Sequence, residues 1–194
     1  LQDTWTALDT GPPQRFKHAA AMTDQGMVVI GGKDEEVLGD VWLWDGLAWT
    51  ELQTQDGPGP VTRHGLAWGD GVLWLHGGID GEGERLDGLW SLDLESLEWS
   101  QHPSGPEPRA SHTTVWVDGR LVVWGGHPTD TAVWIWDGQA WSDTDAPGPE
   151  ARDAHVTALD DTGQVWVMGG DLFGAHFVND LWVLDVDAMR WQAQ

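Results

Sequence analysis

Apolar residues in this chain occur in short runs of four to six, several alternating with polar ones and nearly all closed by Gly, Pro or Asp. No stretch sustains an apolar period of 3.6 residues. The third of four recurring units shows the pattern most clearly: HTTVWV, RLVVWGG, TAVWIWDG and AWSD follow one another with only turns between them. Val, Trp, Thr and Ile dominate these runs, as suits a pleated, half-buried surface. Between runs sit Asp118-Gly119 and Asp137-Gly138, and other units carry Asp45-Gly46 and Asp70-Gly71. Asp-Gly accepts the positive φ of a type I′ turn, so each pair predicts a tight hairpin between antiparallel neighbours. Four strands per unit and no helix is the expectation.

The units repeat in register. Gly31-Gly32, Gly77-Gly78, Gly125-Gly126 and Gly169-Gly170 are spaced by 46, 48 and 44 residues. His18, His64 and His112 each precede their Gly pair by 13 residues, and His155 by 14. Trp42, Trp90, Trp134 and Trp182 follow the pairs, and Trp49, Trp99, Trp141 and Trp191 close the units. A period near 46 signals a repeat architecture, and four-stranded sheets at that period predict the blades of a β-propeller. The tryptophans are read as inter-blade packing. The Gly pair is read as a strand end where neighbouring backbone or a ring comes too close for a Cβ. The four repeated histidines are expected to share one structural hydrogen bond.

These residues resemble the Kelch repeat, in which a Gly pair closes the second strand and two aromatic positions lie across the third and fourth. The resemblance runs through QRFKHAAAMTDQGMVVIGG, TRHGLAWGDGVLWLHGG, PRASHTTVWVDGRLVVWGG and ARDAHVTALDDTGQVWVMGG and covers essentially the whole chain. It implies an all-β Kelch-type propeller of four four-stranded antiparallel blades plus one extra closing strand, part of a larger propeller or assembly. Residues 1–10, with Trp5, are assigned to the closing strand of a preceding blade. The blades are then 11–54, 55–103, 104–145 and 146–194. Units one and three share a short final hairpin, whereas in units two and four it is two residues longer, so a two-blade duplication and an even blade count are inferred. One unit departs from the pattern: the Arg three residues before the His is Val61 in unit two, where Arg63 adjoins His64 instead.

Charge narrows the partners. Against 32 acidic residues stand 9 basic ones, for a net charge of −23. Such a field repels phosphate backbones, so nucleic acid is excluded as a partner. A basic protein ligand, or an extracellular or high-salt setting, is consistent with it. Cysteine is absent, which removes disulfides and thiolate sites. No apolar run approaches the length of a membrane span, so a soluble chain without membrane insertion is expected.

The loops after the second strand, KDEEVLGD, IDGEGERLDG, HPTDTA and DLFGAHFVND, differ while the strands stay alike, as on a variable recognition surface carried by a fixed scaffold. Candidate ligand contacts there are Asp80, Glu82, Glu84, His127, Asp171, Phe173 and His176. Arg15, Arg63, Arg109 and Arg152 begin the innermost strands and are candidates to grip an anionic group at the channel mouth, or to brace acids of adjacent loops. The run Asp80 to Glu84 lacks the spacing of a calcium loop, so neither metal nor cofactor is expected. No Ser-His-Asp context singles out a nucleophile. The expected function is a non-enzymatic scaffold recognising a protein or glycan through its loop face. The alternatives are a mutarotase-like carbohydrate enzyme and a segment that self-associates through blade edges. The resemblance admits copper-radical oxidases as well, but these need a linked Tyr and Cys, and both residues are missing.

Overall fold

The computed structural model describes residues 11–128, 130–144, 146–174 and 176–194. Blade 1 comprises β1 (Ala19–Thr23), β2 (Gly26–Lys33), β3 (Val37–Trp44) and β4 (Trp49–Leu52). Blade 2 comprises β5 (Gly65–Gly69), β6 (Val72–Ile79), β7 (Arg85–Asp93) and β8 (Trp99–His102). Blade 3 has β9 (Thr113–Val117), β10 (Arg120–Trp124), β11 (Val133–Trp136) and β12 (Trp141–Thr144), and blade 4 has β13 (Val156–Leu159), β14 (Gln164–Asp171), β15 (Phe177–Asp185) and β16 (Arg190–Ala193). Each sheet is antiparallel, with its strands in chain order. The innermost strands β1, β5, β9 and β13 lie side by side in succession, which makes the four sheets blades of a β-propeller. Among the described residues there is no helix, and so none long and apolar enough to cross a membrane. The closing strand assigned to residues 1–10 lies outside the described residues.

The turns divide into two kinds. Asp70-Gly71 and Asp118-Gly119 join the first two strands of blades 2 and 3 with both residues at positive φ, as a type I′ turn requires. Asp45-Gly46 and Asp137-Gly138 correct the expectation. Only their glycines have positive φ, and the loops run four residues from Asp45 to Ala48 and from Asp137 to Ala140. In each the Asp side chain accepts two backbone N–H groups at 2.8 Å, from Leu47 and Ala48 or from Gln139 and Ala140, so the carboxylate organises the turn. Blades 2 and 4 have the longer hairpin, each with a left-handed residue, Leu97 or Met189.

Three apolar clusters fill three interfaces. Val28, Ile30 and Val41 of blade 1 meet Leu73, Leu75 and Leu92 of blade 2. Ala67, Trp74 and Leu89 of blade 2 meet Leu121, Val123 and Trp136 of blade 3. Val122, Trp124 and Val133 of blade 3 meet Val165, Val167, Leu184 and Trp191 of blade 4. No such cluster among the described residues joins blade 4 to blade 1. The closing tryptophans share one setting: the rings of Trp49, Trp99, Trp141 and Trp191 cover Gly11, Gly57, Gly105 and Gly148 of the Pro-rich turns, where an added Cβ would sit 3.0 Å or less from the ring. Trp141 also packs on His76, and Trp191 on Trp124, each a side chain of the preceding blade.

The Gly pairs do what the spacing predicts. The N–H of Gly32, Gly78 and Gly126 donates to the carbonyl of Val61, Arg109 and Arg152 in the following blade at 2.8–2.9 Å. The first glycine of each pair is left-handed, and a Cβ on Gly77 would stand 2.6 Å from the Arg109 carbonyl oxygen. Beside these bonds the chain just before each His forms a staircase. Arg63 N–H donates to the Lys17 carbonyl, Ser111 to Arg63 and Ala154 to Ser111. Gly77→Ala should therefore lower the unfolding free energy by roughly 2–4 kcal/mol, combining a positive φ with a backbone clash. Gly81→Ala, in open space, should stay within about 0.5 kcal/mol, as read by urea denaturation.

Candidate functional site

The loops entering each first strand and those leaving each second strand share one face. Backbone bridges Phe16–Lys33, Thr62–Ile79, Ala110–His127 and Asp153–Asp171 tie them together. The candidate residues separate on this face according to what they touch.

Arg15, Arg109 and Arg152 are held by acids of their own blades. Arg15 grips Asp40 through both terminal nitrogens at 2.7 and 2.8 Å. Arg109 reaches Asp130 at 2.8 Å and Arg152 reaches both oxygens of Asp180. Each also donates to the carbonyl of the first glycine in its pair, Gly31, Gly125 or Gly169, at 3.0–3.1 Å. The same carboxylates accept an indole N–H, from Trp42 at 2.6 Å, Trp134 at 3.4 Å and Trp182 at 2.8 Å. Burial raises the Asp40 pKa, but the bonds from Arg15 and Trp42 outweigh it and hold the carboxyl below its ordinary range. Asp180 is held low first of all by Arg152. Each triad locks a Gly-Gly strand end, a third strand and a buried cation into one unit.

Blade 2 has lost this unit as a whole. Val61 stands at the arginine position and is fully buried, and Gly88 stands two residues before Trp90, where Asp40 and Asp180 stand before Trp42 and Trp182. Losing cation and anion together is physically coherent, because removing one alone leaves a buried charge. Arg63, two residues on, forms no ion pair among the described residues; it donates to Ser111 Oγ at 3.3 Å. With Lys17 and Lys33 it lines a cavity of about 550 Å³ between blades 1 and 2, rimmed by Asp80 and Glu82. Modest burial and the neighbouring charges of Arg63 and Lys33 hold the Lys17 amine below its ordinary value. Three of nine basic residues thus converge on one cleft. Sequence reading selected Arg63 and passed over Lys17 and Lys33. The available signal was that Lys17 and Arg63 both precede the repeat His.

The acidic candidates shape their own loops. Asp80 accepts the backbone N–H groups of Glu82 and Glu84 at 2.9 Å, and Asp171 accepts that of Gly174 at 2.8 Å. Glu82, Glu84 and His176 are exposed. His127 and Phe173 meet edge to face at 5.7 Å, bringing the blade 3 and blade 4 loops together. The described residues hold no group of three or more His, Asp or Glu arranged for a metal.

The repeat histidines correct another expectation: they do not share a hydrogen bond. Among the described residues His64 has no partner for either ring nitrogen, His155 pairs with Thr113 Oγ, and His18 is exposed. What His64, His112 and His155 share is a ring edge pressed against the first glycine of the preceding blade's pair. His76 donates to the Gly105 carbonyl at 2.8 Å, and because burial holds both rings neutral its Nδ1 accepts from His112 Nε2 at 3.0 Å. Burial pushes His64 and His76 down to about 3 and His155 to about 4.

The chain matches the KLHDC2/KLHL20/DRC7 Kelch-repeats domain over residues 45–194. It belongs to this Kelch-repeat family. It is also similar to two proteins of Arabidopsis thaliana, acyl-CoA-binding domain-containing protein 4 (27% identity over 98% of this chain and 33% of that protein) and acyl-CoA-binding domain-containing protein 5 (26% identity over 98% and 34%). This Kelch-repeat chain thus spans about a third of the length of the curated relatives it matches.

Two outcomes follow from these placements. Arg109→Ala should cost about 3–5 kcal/mol in stability by urea unfolding, since it strands a carboxylate and a carbonyl, while Arg63→Ala should fall within about 0.5 kcal/mol. Histidines kept neutral in the fold bind protons once unfolded, so their contribution is whole above pH 6.5 and lost as pH falls toward about 3. Between about pH 6.5 and about pH 5, before most carboxylates titrate, each should lower the unfolding free energy with a slope that steepens toward a limit of about 1.4 kcal/mol per pH unit.

Proposed function

We propose that this Kelch propeller is a protein-binding scaffold whose loop face docks an anionic group of its ligand, a carboxylate-bearing peptide segment, in the cleft between blades 1 and 2. One observation carries the reading. Arg15, Arg109 and Arg152 are neutralised within their blades, whereas Arg63, Lys17 and Lys33, which form no ion pair among the described residues, gather around a cavity of about 550 Å³, within the size range of ligand sites. A guanidinium flanked by two ammonium groups suits a carboxylate, and the rim acids Asp80 and Glu82 favour a segment that carries a basic residue beside its acid. That mixed rim reconciles an anion site with a net charge of −23, because the whole-molecule field selects the basic part of the ligand while the cleft selects its acid.

The acyl-CoA binding in the names of the two plant relatives is not carried over, since the match covers a third of each. Glycan recognition enters as an arm of the test. Fluorescence polarisation against peptide pools of mixed, purely acidic and purely basic character, alongside uronic-acid oligosaccharides, should show saturable binding of the mixed peptides. Arg63→Ala combined with Lys17→Ala should weaken it at least tenfold without changing stability. Binding that ignores both substitutions, or that prefers the oligosaccharides, would overturn the assignment.

A further inference from the structure

Each blade has a leading face toward the preceding blade and a trailing face toward the following one, and blades of odd and even number differ. At the junction of blades 2 and 3, Trp116 stacks on Trp74 with ring centroids 5.0 Å apart and planes 7° from parallel. Trp141 packs on His76 at 5.3 Å and is set against Trp136 at 5.7 Å and 48°. This junction is an even trailing face receiving an odd leading face.

Both halves of that junction recur on the outer faces of blades 1 and 4, where no apolar cluster among the described residues covers them. The leading face of blade 1 repeats the tryptophan pair of blade 3: Trp44 and Trp49 lie 5.6 Å apart at 48°, with Met22, 69% exposed, in the place of Trp116. The trailing face of blade 4 presents Trp166 in the place of Trp74, its indole tied to Asp160 at 2.7 Å. It also presents Met168 in the place of His76. Met168 is 49% exposed, whereas its counterparts Ile30, His76 and Trp124 are exposed by 1% or less. Val156 beside it is 66% exposed, while the matching Gly65 and Thr113 are buried. Large apolar side chains exposed at positions that are buried in all three other blades for Met168, and in blades 2 and 3 for Val156, mark an interface without its partner among the described residues.

We propose that the trailing face of blade 4 receives the leading face of blade 1 from a second copy of this chain, so that copies associate head to tail by repeating the junction of blades 2 and 3. The contact is heterologous, joining different surfaces on the two copies, so it either closes a ring or propagates. Two copies of net charge −23 repel at long range, so screening by salt should strengthen the association, the reverse of a charge-driven contact.

Sedimentation velocity of the 194-residue chain over a range of concentration and salt tests this. Wild type should form dimers and longer species that grow with both. Met168→Asp and Met22→Asp, each at an exposed position that leaves the fold intact by circular dichroism, should each weaken self-association at least tenfold. An equimolar mixture of the two variants should recover a dimer and nothing larger, because one intact leading face then meets one intact trailing face. A wild type that stays monomeric at all concentrations and salts would overturn the proposal and assign the faces to another occupant. So would variants that associate as wild type does, or a mixture that fails to recover the dimer.

Discussion

Everything in this propeller hangs on a backbone hydrogen bond that crosses from one blade to the next. In blades 1, 2 and 3 the second glycine of the pair donates its N–H to the carbonyl three residues before the histidine of the following blade. That approach is available only where the preceding residue lacks a Cβ and tolerates a left-handed φ, so Gly-Gly is a geometric requirement of the joint. The histidine ring edge fills the remaining space over the first glycine. Where a ring nitrogen would be stranded by this packing, desolvation keeps the ring neutral, and the blades are thereby tied to near-neutral pH.

The arginine triads reinforce the same joint from inside each blade. In blades 1, 3 and 4 the guanidinium fastens the first glycine's carbonyl to an aspartate that also holds an indole N–H. Blade 2 dispenses with the triad, replacing cation and anion by Val61 and Gly88, and Val61 joins Ile30, Leu73, Leu75 and Leu92 in the buried cluster between blades 1 and 2, with Trp68, Trp90 and Trp99 packed against it. The arginine that remains nearby, Arg63, has a guanidinium that forms no ion pair among the described residues.

Much of the fold was legible because the repeat supplies four readings of each position. Gly pairs, closing tryptophans and alternating hairpin lengths recur in register, and the close approach at the Gly pair was foreseeable from the residue type. Asp45 and Asp137 were misjudged as type I′ turns because Asp-Gly is equally suited to a longer loop in which the carboxylate accepts two N–H groups. The triads could have been seen: Asp40-x-Trp42 and Asp180-x-Trp182 recur with an Arg upstream, and the blade that lacks the Asp also lacks the Arg. Blade 3 obscured the rule, since its shorter loop moves the acid to Asp130, four residues before Trp134.

By itself, the amino-acid sequence determined that this chain builds four antiparallel blades, because strand period, turn chemistry and glycine placement are local properties repeated often enough to exclude a helix. Which of the arginines near the repeat histidines are braced by an aspartate depended on side chains brought together over 20 residues or more, and only the folded sheets set those distances. The neutral histidine pair and the basic cleft were likewise decided by tertiary structure, since burial and the convergence of Lys17, Lys33 and Arg63 are properties of the joint between two blades and not of any one of them.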